Sequence, residues 1–190
     1  MNSTSLSLIQ RLQLGSDQIC WNQLLGIYKP LIWGWLRRHN TPLQDAEDLT
    51  QDVLAIVVRE LPKFSHNGQK GAFRAWLRTI TANRLRIYWR GNKGRHSTDW
   101  QTFADQLEDT SSELAQEWDR QHDSFLLRKL LDQMEDEFEP KTVKAFRRVA
   151  LDGVKAEQVS EEIGMSVVAV YIAKSRVLRR LREVAEVLID

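Results

Sequence analysis

The chain has 190 residues, of which 42% are hydrophobic and 28% charged, and its formal net charge is only +1. That balance describes a globular, soluble chain of one or two small domains and excludes a disordered polyelectrolyte. No run approaches the ~18 apolar residues of a membrane span. The N-terminal MNSTSLSLIQRLQLGSD has neither a basic n-region nor a continuous apolar core, so no signal peptide is expected. Cys20 is the single cysteine, which rules out an internal disulfide and fits a reducing cytoplasm. His39, His66, His96 and His122 are each more than twenty residues from the next, so metal-ligand spacing is missing. No glycine-rich phosphate loop, G-x-S-x-G or H-E-x-x-H string occurs, and nothing argues for an enzyme or a cofactor.

In chain order, residues 5–14 give a short amphipathic helix that Gly15 ends. Residues 17–40 give a long apolar-rich helix containing Pro30, a candidate kink, with Trp21, Trp33 and Trp35 as core or rim residues. Thr41-Pro42 predicts an N-cap followed by proline at the first helical position. The helix 42–61 buries Leu49, Val53, Ile56, Val57 and Leu61, and it sets Asp45, Asp48 and Asp52 on one outer face. Those acids either compensate the helix dipole or dock a basic protein surface. Residues 62–70 form a polar loop with an Asn67-Gly68 turn.

The most informative stretch follows. Residues 71–95 read as a helix carrying Arg74, Arg78, Arg84, Arg86 and Arg90, then Lys93 and Arg95, without one Asp or Glu. Residues 99–119 hold seven Asp/Glu and no Lys/Arg. By segment the net charge is +8 for 1–96, −10 for 97–140 and +3 for 141–190. Two basic lobes joined by an acidic connection are therefore expected. On the basic helix Trp76 and Asn83 share a side: guanidiniums suit phosphates, an indole stacks on a base, and an amide reads a base edge. A solvated basic helix with a core tryptophan is the plainer alternative. Residues 96–109 show acidity rather than a helical pattern and are read as a linker; the stretch 92–109, fully extended, spans about 60 Å.

Thr110-x-x-Glu113 matches a capping box, and Leu127, Leu130, Leu131, Met134 and Phe138 supply the next apolar stripe. After Pro140 comes a helix with Val143, Phe146, Val149 and Ala150 inward. Residues 155–163, Gly164-Met165-Ser166 and residues 167–189 then form a helix-turn-helix pattern, with Gly164 in the turn. Between Ile163 and Arg182 there is no acid, but Lys174, Arg176, Arg179, Arg180 and Arg182 are present. The second helix of such a pair enters a DNA major groove.

Together these residues resemble bacterial sigma factors. Asp45-Ala46-Glu47-Asp48-Leu49, Gln51-Asp52-Val53, Leu61-Pro62-Lys63-Phe64, Phe73-Arg74-Ala75-Trp76-Leu77 and Asn83-Arg84 look like region 2, and the C-terminal helix pair looks like region 4. The short two-region form is similar to the extracytoplasmic-function group of the sigma-70 family. The resemblance implies an all-α protein with two small helical domains joined by a flexible acidic linker: residues 1–95 as region 2, 96–112 as linker, 113–190 as region 4. It implies a cytoplasmic, non-enzymatic subunit whose partners are core RNA polymerase (β and β′) and promoter DNA. Whether an anti-sigma factor is a further partner is left open.

Carried over by position, Asp45, Glu47, Asp48, Gln51 and Asp52 would meet polymerase. Phe64, Ser65, His66, Asn67, Arg74, Trp76, Arg78, Asn83, Arg86 and Arg90 would serve the −10 element. Ser166, Ala169, Tyr171, Ile172, Ser175, Arg176 and Arg179 would face the −35 element, although Tyr171-Ile172-Ala173 stand where many members carry Arg-Ser-Arg. A stand-alone helix-turn-helix regulator is the second reading. It leaves the acidic face of 42–61 and the basic helix without a role.

Overall fold

The computed structural model describes residues 8–15, 18–65, 71–91 and 100–188, and among these every regular element is helical. His66 and Asn67, expected at the −10 site, lie outside the described residues, as do Lys93 and Arg95. The helices are α1 (Leu8–Leu14), α2 (Gln18–Arg38), α3 (Leu43–Glu60), α4 (Ala72–Gly91), α5 (Trp100–Glu108), α6 (Glu113–Gln133), α7 (Pro140–Phe146), α8 (Ala156–Ile163) and α9 (Val167–Leu188). A π-helical stretch, Arg147–Leu151, continues α7. The chain divides into two compact units, the first running to Asp123 and the second spanning Ser124–Leu188, so the division falls within α6.

The first unit buries one face of each of its helices. Leu24, Ile27, Leu31, Ile32, Trp35 and Leu36 of α2 meet Leu49, Val53 and Val57 of α3 and Phe73, Leu77, Ile80 and Leu85 of α4 in its core. Pro30 sits on the exposed side of an uninterrupted α2, where its missing N–H faces no packed neighbour. Asn40 takes φ 59 at the end of α2, and the Thr41 N–H donates to the Leu36 carbonyl at 3.1 Å, which closes the helix with a left-handed cap. Thr41 is buried and does not cap α3: Pro42 occupies the N-cap position, and its carbonyl accepts the Ala46 N–H at 2.8 Å.

Residues 100–109 differ from expectation, the preceding part of the expected linker lying outside the described residues. Trp100, Phe103, Ala104 and Leu107 follow the i, i+3, i+4, i+7 spacing of an amphipathic helix, and residues 100–108 form α5 packed along α4. Ala104 and Leu107 are fully buried. A nine-residue helix rises only about 13 Å, so the extended span does not apply to this segment. Helix α6 starts at Glu113 with Ser112 as its cap, its hydroxyl accepting the Ala115 N–H at 3.0 Å, rather than with Thr110. Trp118, on α6, lies edge-on to Trp35 at 4.8 Å between ring centroids.

The second unit is built around Ala145, Ala156, Val159, Val170 and Ala173, with Val149, Val154, Ile163, Met165 and Val167 around them. Helix α8 ends at Gly164, which adopts φ 69, ψ 44. The N–H groups of Gly164 and Met165 both donate to the Ser160 carbonyl, at 3.0 and 3.1 Å, and the Ser160 hydroxyl donates to the Met165 carbonyl at 2.5 Å. One residue thus ties the turn on both sides. Ser166 then caps α9, its hydroxyl accepting the Ala169 N–H at 3.1 Å. A side chain at 164 must carry the left-handed backbone with a Cβ. Gly164→Ala is expected to destabilise this unit by about 1 kcal/mol, read by chemical denaturation.

Candidate nucleic-acid interface

Helix α4 carries its arginines because the stripe Phe73, Leu77, Ile80, Leu85 and Trp89 is buried and turns the charged positions sideways. Those positions are not left to solvent. Arg78 is buried, 4% exposed at the side chain, with Nη1 2.8 Å from Asp119 of α6. Its Nε is buried and has no partner among the described residues. Arg74 reaches both Asp119, at 3.3 Å, and Asp123. Arg86, 14% exposed, contacts Asp105 and Glu108 of α5, each at 2.6 Å. These bonds raise the Arg86 pKa above its ordinary value, Glu108 most strongly. Arg84 pairs across to Asp52 of α3 at 2.7 Å. Arg90 is exposed and has no ion-pair partner among the described residues.

The acidic segment therefore folds onto the basic helix. The first unit's residues 1–123 hold fifteen Lys/Arg against fourteen Asp/Glu, and residues 124–188 hold twelve against eleven. Neither unit is a basic lobe, so attraction for a polyanion has to be local.

The remaining expected −10 residues are split. Asn83 is exposed, its carbonyl oxygen accepting a hydrogen bond from Arg86 Nη1 at 2.9 Å. Phe64 and Trp76 are half-buried and pack together at 4.9 Å, each also against Phe73, at 5.9 and 5.5 Å. This aromatic step beside the exposed Ser65 is the start of the polar loop. Gly71 takes φ 79 at the loop's end, and a Cβ there would lie 2.8 Å from Arg74 Nη2, so only glycine leaves the Arg74 side chain in place.

On α3, Glu47, Asp48, Gln51 and Asp52 are exposed and Asp45 is half-buried. Glu47, Thr50 and Gln51 line a cleft of about 420 Å³ with Lys29, Pro30 and Trp33 of α2. Sequence reasoning found the acids but missed this apolar floor, because Trp33 and Pro30 were assigned to packing and kinking.

In the second unit, Ser166, Tyr171, Ile172, Ser175, Arg176 and Arg179 of the turn and α9 are exposed, and Ala169 is half-buried. Arg180 is engaged by Glu137 at 2.7 Å. A shallow recess of about 270 Å³ is lined by Arg128, Lys144, Arg147 and Arg148, of which Arg147 pairs with Asp132 and Glu135, and Arg148 with Asp152 and Glu162. Among the described residues no group of His, Cys, Asp and Glu is arranged to hold a metal ion, and no helix is long and apolar enough to cross a membrane.

A helical bundle whose acidic outer face adjoins an arginine helix, followed in the chain by a unit in which α8 and α9 flank the tight Gly164 turn, defines an all-α protein. Residues 24–95 match the family model of sigma-70 region 2, so the first unit contains that domain. The match supports a sigma-70 family sigma factor with a role in transcription initiation. No curated protein matches the chain.

One titrating group is half-buried at the end of α2. The His39 ring packs 4.4 Å from Trp35 and 5.3 Å from Phe103, and its Nε2 is buried without a partner among the described residues. Burial lowers the His39 pKa; Glu117 pulls it up and Arg38 pushes it down. A depressed folded-state pKa means that the unfolded chain binds the proton more readily. This stability is present above the ordinary value of 6.5 and is lost as pH falls from there through the lowered folded-state value. Asp123 acts in a lower window. Desolvation raises its pKa, but hydrogen bonds from His122 and Arg74 outweigh that and hold it below the usual carboxylate range. The unfolding free energy from denaturant titration is expected to fall between pH 7.5 and pH 5.5, and His39→Phe should flatten that slope.

Proposed function

We propose that this protein is a sigma factor of the extracytoplasmic-function group, which binds core RNA polymerase and directs it to promoters through −10 and −35 elements. The observation that carries the reading is the order of parts on one chain. A sigma-70 region 2 match over residues 24–95 precedes a helix-turn-helix whose second helix is acid-free to Arg182.

In this reading the exposed carboxylates of α3 and the cleft floored by Pro30 and Trp33 receive the polymerase clamp. Charge on the rim sets orientation and encounter, and an apolar side chain entering the cleft supplies affinity. Asn83, Trp76, Phe64 and the polar loop that Phe64 opens take the −10 strand. A base lifted from the stack loses a few kcal/mol of pairing and stacking, which aromatic and amide contacts recover. Arg90 holds a phosphate directly. Arg74, Arg78 and Arg86 support α4 from within, and any phosphate they take must displace Asp105, Glu108, Asp119 or Asp123. Region 4 is assigned to the second unit, with α9 as the helix that reads the −35 element and Arg176 and Arg179 on its flanking phosphates. The protein supplies recognition and melting, and the polymerase supplies the chemistry, in the cytoplasm.

Purified protein added to sigma-free core polymerase is expected to give promoter-specific transcripts. DNA binding without polymerase binding would instead favour a stand-alone regulator. The docking face has its own test. Glu47→Lys with Asp48→Lys is expected to weaken core binding at least tenfold while the circular dichroism spectrum stays unchanged, and unaltered binding would remove α3 from the interface. Asp52 is a poorer choice, because its loss also frees Arg84.

A further inference from the structure

The outer face of α9 is divided along its length. Its inner edge, Val170, Ala173, Val177 and Leu181, is buried. The opposite face follows three- and four-residue steps through Val168, Tyr171, Ile172, Ser175, Arg176 and Arg179, all exposed. Val168 is 67% exposed and Tyr171 and Ile172 are each 53% exposed, an unusual concentration of large apolar side chains on two turns of open helix. The cations begin one turn later.

The geometry points to Val168, Tyr171 and Ile172 as a methyl-reading patch that selects thymine in the upstream promoter element. The assignment rests on the promoter-binding role proposed above and specifies what that site recognises. A helix of this kind places its N-terminal residues on base edges and its later residues nearer the backbone. At the base-edge positions this chain has no guanidinium, amide or carboxylate, so the bidentate contacts that read guanine or adenine are missing there. The one apolar feature in the major groove is the C5-methyl group of thymine, and valine, isoleucine and an aromatic ring are the side chains that bury it. Ser166 does not change this: its oxygen accepts the Ala169 N–H, and the O–H that remains can serve any base and selects none. The flank argues for DNA over a protein as the occupant: from Val167 through Arg182 the helix has five cations and no acid.

The test uses the holoenzyme reconstituted from full-length protein and core polymerase, selecting from duplexes randomised upstream of the start site. The selected upstream element is then remade with deoxyuridine replacing thymidine one position at a time, which deletes only the methyl group. At one or more positions the replacement is expected to weaken binding by about threefold to fivefold, the value of burying one methyl. Val168→Ser and Ile172→Ser should bind thymidine and deoxyuridine duplexes equally. Both positions lie outside the core, so these variants fold. An upstream element indifferent to deoxyuridine, or variants that still discriminate, would overturn the assignment. So would serine variants that lose polymerase and keep DNA selectivity, because the patch would then be a protein contact. A chain that neither binds polymerase nor supports transcription fails at the earlier step, before the upstream element is selected.

Discussion

Arg78 is the constraint around which the first unit is organised. A guanidinium 4% exposed has to be answered by a carboxylate, and Asp119 answers it at 2.8 Å. That bond ties α6 to α4. Arg74 reinforces it through Asp119 and Asp123, and Arg86 repeats the arrangement with Asp105 and Glu108 on α5. The acids that follow the basic helix in sequence fold back beside it. The seam is ionic at its margin and apolar beneath, where Ala104, Leu107, Ala115 and Trp118 are buried.

Function follows from what the seam leaves outside. With four of the five α4 arginines paired, the proposed recognition of nucleic acid by this unit rests on Asn83, Arg90 and the Phe64–Trp76 step rather than on a uniform cationic stripe. The second unit keeps charge and exposed apolar surface apart along one helix: apolar side chains lead, arginines follow, and Arg180 is turned to Glu137. Both units are close to neutral, so the proposed affinity for promoter DNA has to come from placed side chains and not from bulk attraction.

Much of this was legible in the residues. The periodicity of α2, α3 and α4, the Gly164 turn and the buried valines of α8 and α9 follow from spacing alone. So do the exposed acids of α3. The error at α5 has an identifiable source. Its acidity suggested a solvated linker, but Trp100, Phe103, Ala104 and Leu107 carry the helical period, and the acids lie on the side that meets the arginines. Composition described the segment's charge; periodicity described its fold, and periodicity prevailed. The pairing of charges that are distant in sequence was not legible, because Arg78 and Asp119 are 41 residues apart and only the packed helices bring them together. The cleft of Pro30 and Trp33 was missed for the same reason: it requires α3 beside α2.

A double-mutant cycle between Arg78 and Asp119 tests the central claim most directly. Arg78→Met, Asp119→Leu and the double variant would be compared in unfolding free energy. Removing Asp119 leaves the buried Arg78 uncompensated, while removing Arg78 leaves Asp119 with Arg74 alone, so a coupling of about 1–3 kcal/mol is expected, with the double variant more stable than the sum of the single losses implies. Strict additivity would contradict the account, since it would mean that the basic helix does not depend on the acids folded against it.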